Sequence, residues 1–529
     1  MKRLTSIVSM AALLITSCNL DYAPENTMVD QTVYKNEKTS EAALSGAYVC
    51  LNNFLSGAPT GSNNYPSTYY AFQFGDTGTD NIKAQSSSSD YLAIETSEYT
   101  TDQHEGLLYK IYINGYNAID YANNVIAGIN EYGEFDTEKK NQFIAEAKFI
   151  RAYTYLQLLA IFGDQALQGN DNGLGLVLRI TPYEGYNPDD VVSRSTNAEI
   201  WNQIISDLKD NISYLSESVP DAALRVRANQ TVSKALLSRV YLYKGTYNNN
   251  TNELALAAQY ANEVLNTSGY TFTNDNTAYE TLFPLNLSED DTASSSEPTT
   301  RSGEILFFEA SRLDVDWYPS GIYNYYEKRA FYVPESMKTY YNENDVRGYH
   351  TPIPATDENP DPYNPIYLLF QGSESNYASN ITSKKYSNST SSSYSSNTRG
   401  NNDVIYIRLA EMKLTRAEAL ARTNNTVSAE AVQLLNDVHQ RAFAEIHRPP
   451  LYQTNDFASV EDFIKVVLKE RNRELAYENH QRWDLIRTNN LLGDKTLGAV
   501  AKNRWNAPIP AHEVRISGGL IQQNSGYAE

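Results

Sequence analysis

TVSKALLSRVYLYKG (residues 231–245), an Asn-rich turn, and NELALAAQYANEVLN (residues 252–266) together decide the architecture of this chain. Each segment repeats apolar residues at helical spacing, and Gly245 with the asparagines after it breaks the pattern between them. Small or flat residues, Ala235, Tyr241, Gly245, Tyr247 and Ala258, fall where two such helices would touch. The stretch predicts a helical hairpin.

A second pair follows at about 403–423 and 428–443. In its first member Ile405, Leu409 and Met412 make one apolar stripe, and Ala410, Leu414, Ala417 and Ala421 make another. A helix apolar on two faces must be covered on both, which stacked hairpins of the tetratricopeptide type achieve. Further helices are predicted at about 40–55 with Ser40 as N-cap, 104–130, 137–162, 198–216 and 459–487. In the helix over 137–162, Ile144, Ala147, Arg151, Tyr155, Leu158 and Phe162 share a face. The expected fold is mainly α: a tetratricopeptide-like scaffold of roughly four unevenly spaced helix pairs, with long irregular loops and a few short strands. The loops fall at about 56–100 and 267–402, rich in Gly, Ser, Thr, Asn and Tyr. Within the second, Glu304–Phe308 predicts a buried strand and 371–402 is almost low-complexity.

Composition narrows the function. The 529 residues carry 64 acidic and 43 basic side chains, a poor match to nucleic acid or to an anionic lipid surface. Tyr is abundant, at 41 residues against 16 Phe, and supplies flat rings with polar tips. At the N-terminus a basic start, Met1-Lys2-Arg3, precedes the apolar run Met10–Ile15 and then Thr16-Ser17-Cys18. The run is far shorter than the roughly 20 residues that span a bilayer. It fits a secretory signal over 1–17, with a bacterial lipobox ending at Cys18. Cleavage before Cys18 and lipidation of that residue are expected, with a tether over 18–35 and the folded body over 36–529. Cys50, the other cysteine, then has no disulfide partner and is expected to be a small core residue.

Four stretches, in order, resemble the SusD/RagB family of Bacteroidetes. They are Ala145–Tyr155 with Phe162-Gly163-Asp164; Ile407–Glu411 with Arg416–Ala419; Glu470–Ala476 with Trp483–Arg487; and Trp505–Pro510 with Glu513 and Gln523–Tyr527. Asn479 departs from the pattern, which commonly has Gly there. Arg471, Arg473, Glu474 and Asp484 are expected to be structural staples, and Pro508–Pro510 an extended strap. The resemblance implies a surface-exposed outer-membrane lipoprotein facing the cell exterior. Such a protein captures oligosaccharides and delivers them to a SusC-like TonB-dependent transporter. A peptide-binding RagB-like protein and a transporter subunit without a ligand of its own are the alternatives.

No enzyme signature competes with this. The six histidines include no pair at i, i+4, so a zinc site is unsupported. No nucleophile elbow, Walker loop or dinucleotide fingerprint occurs. Neither catalytic residues nor a cofactor are expected. Of the four Trp, Trp201 lies on a core helix and Trp483 and Trp505 in the shared motifs. Trp317 alone lies in a polar loop, beside Tyr318, Tyr323, Tyr325 and Tyr326. A second patch comprises Tyr70, Asp76, Asp80 and Asn81, with Tyr91 beyond; the family carries ligand-facing polar residues in this early loop. An aromatic platform burying about 60–80 Å² of a sugar face contributes roughly 1.5–2 kcal/mol. Two or three platforms, less the association cost, give binding on the order of micromolar to millimolar.

Replacing Cys18 with Ala is expected to leave the fold intact and release the protein from membranes. Fractionation with a fatty-acid probe checks this; a labelled, membrane-bound variant would refute the lipobox.

Overall fold

The computed structural model describes residues 30–57, 70–84, 89–100, 105–185, 191–283, 301–310, 331–349, 368–371, 381–383, 385 and 403–527. The longer helices are α1 (Glu37–Leu55), α2 (Ser89–Thr96), α3 (Glu105–Tyr132), α4 (Thr137–Phe162), α5 (Asn197–Lys209), α6 (Gln230–Thr246), α7 (Thr251–Leu265), α8 (Leu409–Asn424), α9 (Ala429–Arg441), α10 (Val460–Leu475) and α11 (Gln481–Arg487). Short polar side chains start them. Asp136, Thr196, Asn229, Asn250, Ser428 and Ser459 each accept a backbone N–H from the first turn of α4, α5, α6, α7, α9 and α10. Asn36 caps α1; Ser40, the expected cap, lies inside the helix and donates to the Tyr34 carbonyl at 3.1 Å.

Successive helices pack on one another. α4 lies against α1, α3 and α5, while α6, α7 and α8 stack in order, with α9 and α10 against α8. Every residue from Phe149 to Phe162 is buried, so α4 is enclosed all round and its expected single apolar face is a minimum. Trp201 is fully buried. Cys50 is only half-buried, at the edge of the core instead of inside it, and burial pushes its thiol up to about 11. Folded structure begins ahead of residue 36: Asp30–Tyr34 is a helical turn whose Tyr34 ring packs on Gly128 in α3.

Two long predicted helices are divided. Val404–Arg408 is a strand, because its run of Val, Ile, Tyr and Ile finds an apolar partner in Ile305–Glu309. These strands, β2 (Ile305–Glu309) and β6 (Val404–Arg408), pair antiparallel and are buried throughout. Strands β1 (Lys83–Ala84) and β3 (Phe331–Tyr332) form a second pair, and β4 (Leu369–Gln371) and β5 (Ile381–Ser383) a third. The segment predicted as one helix over 459–487 breaks between α10 and α11, where Tyr477 and Asn479 take φ of 68° and 65°. Asn tolerates this left-handed conformation better than most residues, so the turn survives without glycine.

The C-terminal segment is a strap over the end of α4. Trp505–Pro510 is buried. Asn506 Nδ2 donates to Ala160 O at 2.8 Å, Ala507 N to Ile161 O at 2.7 Å, and Asn524 Nδ2 to Phe162 O at 2.9 Å. These are final-turn carbonyls that the helix cannot satisfy itself.

Charged residues of the shared motifs join others, among them Glu304, Arg347, Arg441 and Glu478, in a buried lattice. Glu474 accepts from Arg408 Nη1 at 2.6 Å, Arg441 Nη2 at 2.6 Å, Arg347 Nη1 at 2.9 Å and the Tyr279 hydroxyl at 2.7 Å. Glu304 pairs with Arg408 and Arg441, Glu478 with Arg408 and Lys385, and Glu470 with Arg347 and His439. A second group joins Glu418 and Asp484 to Arg471 and Arg487. Burial alone would raise these carboxyls. For Glu474 the three guanidiniums outweigh it and hold the group well below the carboxylate range.

Glu470 gives the pH test. Burial opposes its ionisation, but Arg347, His439 and Arg473 bring its carboxyl down to about 2. A carboxyl depressed on folding stabilises fully above its unfolded value, near 4.5, and loses that share as pH falls toward 2. Glu470→Gln is expected to cost on the order of 3 kcal/mol at pH 7, with the gap to wild type closing below about pH 4.5. Urea unfolding across that range measures it; a gap independent of pH would show that Glu470 is not the titrating staple.

Candidate functional site

The two loop regions singled out by sequence meet at their roots. α1 ends at Leu55, and Ser56 donates its hydroxyl to the Glu309 carboxyl at the end of β2. The Tyr406 hydroxyl lies 3.0 Å from Glu309 Oε2, 3.2 Å from Ser56 Oγ and 3.2 Å from Asn52 Oδ1. Burial pushes the Glu309 carboxyl up to about 7, with Asp403 adding to the rise and the Ser56 and Tyr406 hydrogen bonds opposing it. On the far side of residues 311–330 the chain returns as β3 and pairs with β1, Lys83 opposite Tyr332 and Ala84 opposite Phe331. The early loop is thus bonded to both flanks of the segment that carries Trp317.

Trp317, Tyr318 and Tyr323 lie outside the described residues, as does Cys18. The early patch can be followed atom by atom, and most of it faces inward. Tyr70 is 2% exposed and belongs to the main core. Asp76 is fully buried at the end of the turn Gln73–Asp76. Its carboxylate accepts the backbone N–H of Tyr477 at 3.0 Å and of Asn479 at 3.1 Å, and Asn81 Nδ2 at 3.3 Å. Asn81 and Asn472 exchange amide hydrogen bonds at 2.6 and 3.0 Å. Gly75 makes this approach possible: a Cβ there would lie 2.0 Å from Asn479 Oδ1.

Asp80 is partly exposed, but both carboxylate oxygens are committed. It accepts Lys495 N at 2.9 Å, Thr496 N at 3.1 Å and Thr496 Oγ1 at 2.7 Å, capping the turn Lys495–Gly498. Burial raises its carboxyl, yet these bonds and Lys83 bring it below the usual value. Tyr91 is half-buried on α2, packed against the core edge. The expectation that Tyr70, Asp76, Asp80 and Asn81 face a ligand is therefore corrected. Tyr70 packs in the core, while Asp76 welds the early loop to the break between α10 and α11, Asn81 to α10 and Asp80 to the chain after α11. The partners lie some 400 positions downstream, beyond the reach of local sequence pattern.

Raised acids are not catalytic by that fact alone. Burial pushes Asp76 and Asp494 up to about 6, and both are engaged by protein donors. Among the described residues no three His, Cys, Asp or Glu side chains gather as a metal-binding group. A surface cavity of about 420 Å³ lies beside Phe272, Asn274, Lys413, Asn436, Asp437 and Gln440. Its ring is occupied by Arg441 at 4.1 Å and Lys413 at 4.6 Å. The amides of Asn436 and Gln440 are spent on the Tyr452 and Pro449 carbonyls.

Comparison with known proteins adds the following. The model of the SusD family matches residues 238–506, and a model described as starch-binding associating with outer membrane matches residues 30–242. A SusD-like protein of Formosa agariphila is 23% identical over 551 residues, covering 99% of each chain. A SusD-like protein of Bacteroides ovatus is 27% identical over 54% of this chain and 47% of its own. A SusD superfamily structure from Parabacteroides distasonis superposes with a TM-score of 0.69 at 18% identity, covering 93% and 99%. A SusD-like carbohydrate binding protein from Bacteroides vulgatus gives 0.62 at 18% identity, covering 86% and 84%.

Asp76→Ala is expected to act on stability. It strands two backbone donors and one amide in the core, at a cost of about 2–5 kcal/mol. Thermal melting without ligand checks this; an unchanged melting temperature would return Asp76 to the list of ligand contacts.

Proposed function

Since this chain belongs to the SusD family, we propose that it is a glycan-capturing lipoprotein of the outer membrane. Carbohydrate binding is supported by the starch-binding description of the model that matches its N-terminal half, and by the carbohydrate-binding structure it resembles in fold. Among the described residues no helix is long and apolar enough to cross a membrane. The proposed attachment is the lipid on Cys18, with residues 1–17 removed and the binding face toward the cell exterior. A SusC-like TonB-dependent transporter is the proposed acceptor of the captured oligosaccharide. The protein itself performs no chemistry on it.

The observation that carries the ligand site is the joining of two loop regions at Ser56–Glu309 and at β1–β3. Aromatic residues on the two regions are then proposed to serve one ligand together. With Tyr70, Asp76, Asp80 and Asn81 committed to the fold, the proposed contacts are Trp317, Tyr318 and Tyr323, with Tyr91 at the edge. A flat ring covers the C–H face of a pyranose, while Tyr hydroxyls exchange hydrogen bonds with the sugar.

Trp317→Ala is expected to weaken glycan binding about tenfold or more, equivalent to roughly 1.5–2 kcal/mol, at little cost in stability. Trp201→Ala, a core change, should cost roughly 3–5 kcal/mol of stability. A glycan array selects the sugar, and calorimetry with melting curves separates the two variants. If Trp317→Ala binds as tightly as wild type or melts far lower, Trp317 is a loop anchor and not a platform.

A further inference from the structure

At one pole of the scaffold three chain reversals are built on left-handed asparagines. Asn249 (φ 49°) follows α6, Asn425 (47°) follows α8 and Asn489 (55°) follows α11. A cavity of about 320 Å³ opens between them, bounded by Tyr247, Asn249, Arg422, Asn425, Arg487 and Thr488. None of these residues belongs to the loops proposed for glycan capture.

The wall of this cavity is electrostatically unbalanced. Arg487 is fully buried and saturated, donating to Glu418 twice at 2.8 Å, to Asp484 and to Thr246 Oγ1 at 3.0 Å. Arg422 spends its Nε on the same Glu418, at 2.8 Å, and its Nη2 is buried with no acceptor. Arg471, the third base, shares Asp484. Three guanidiniums therefore face two carboxylates, Glu418 and Asp484. Glu461 on the rim does not settle the account, because Lys465 holds it at 2.7 Å. An excess positive charge at a cavity wall is notable in a chain of net charge −21, and Arg422, with one nitrogen left unpaired, has donor capacity that the fold does not use.

We propose that this cavity is an anion site taking a small oxyanion, a carboxylate, sulfate or phosphate group, on Arg422 with the charge of Arg487 behind it. The guanidinium fork suits the paired oxygens of such groups, whereas a halide offers a single point. Asn249, Asn425 and Tyr247 also line the cavity, and their amides and hydroxyl are the groups proposed to complete the oxyanion shell. The turns that make the rim follow α6, α8 and α11, so an occupant ties together elements that the chain joins only at a distance.

The test uses the purified mature protein with sodium sulfate, phosphate or acetate, against sodium chloride at matched ionic strength. No glycan capture is involved, so its outcome is separate from that of the loop site. Saturable calorimetric binding of at least one oxyanion, with a melting temperature above that in chloride, is expected. Arg422→Gln should weaken binding about tenfold or more, the scale of one charged hydrogen bond, and Arg422→Lys should restore part of it. Asn425→Gly and Asn249→Gly keep the left-handed backbone while removing the rim amides. They should weaken binding with little change in the unliganded melting temperature, which guards against misfolding of the Arg422 variants. Glucuronate bound in preference to glucose identifies a sugar-borne carboxylate as the occupant; inorganic phosphate or sulfate alone identifies a free ion. Either supports the site. A non-saturable response, or binding unchanged by Arg422→Gln and by both glycine variants, overturns it.

Discussion

The carboxylate of Glu474 is held by three guanidiniums and one phenol inside a protein interior, and the rest of the molecule is arranged around that fact. A buried ion without its partners is costly, so Arg347, Arg408, Arg441 and Tyr279 must arrive together or not at all. Their origins explain the consequence. Arg408, Arg441, Glu470 and Glu478 come from the scaffold, at the end of β6, the end of α9, in α10 and just after it. Glu304, Asp345, Arg347 and Lys385 come from the irregular stretch between α7 and β6. The lattice is the root by which poorly patterned chain is fixed to regular helices. Apolar contact could supply similar free energy, but it would tolerate sliding; a fork-shaped donor on a carboxylate does not.

The helical part was legible because its information is local. Caps, glycine breaks and apolar spacing lie within a few residues of the elements they specify, and α4 begins and ends where the pattern over 137–162 places it. Trp201 and the charged residues of α10 and α11 were also placed correctly, as core and as staples. Errors came where a distant partner decides. Val404–Arg408 continues into helical sequence and was expected to be helix, but β2 captures it from about a hundred positions away. The single helix over 459–487 fails at Tyr477 and Asn479 because their backbone amides turn to meet Asp76.

The same reason accounts for the early patch. Asp76, Asp80 and Asn81, in a polar loop rich in small residues, have the composition of a sugar-binding surface. Composition cannot distinguish an oxygen that faces water from one that accepts a backbone N–H in the core. Asp76 accepts the backbone N–H of Asn479, the position where this chain departs from the glycine expected there, and that bond does not depend on the side chain. Gly75 keeps that contact open, since any side chain there would occupy the space of Asn479.

Fixing the loop roots bears on the proposed capture of glycan. A single aromatic platform contributes too little to hold a sugar against the cost of association, so capture depends on several platforms meeting one ligand together. For the proposed contacts Trp317, Tyr318 and Tyr323, the described part of the structure is the bases of the loops. Ser56 on Glu309 and β1 on β3 join two of those bases, and the asparagine pair Asn81–Asn472 ties the first to α10. The lattice staples of the irregular stretch among the described residues, Glu304, Asp345, Arg347 and Lys385, lie outside the segment between Glu309 and β3. A scaffold of this kind separates residues that must be kept for folding, Asp76, Asn81 and Glu309 among them, from those proposed to match a ligand.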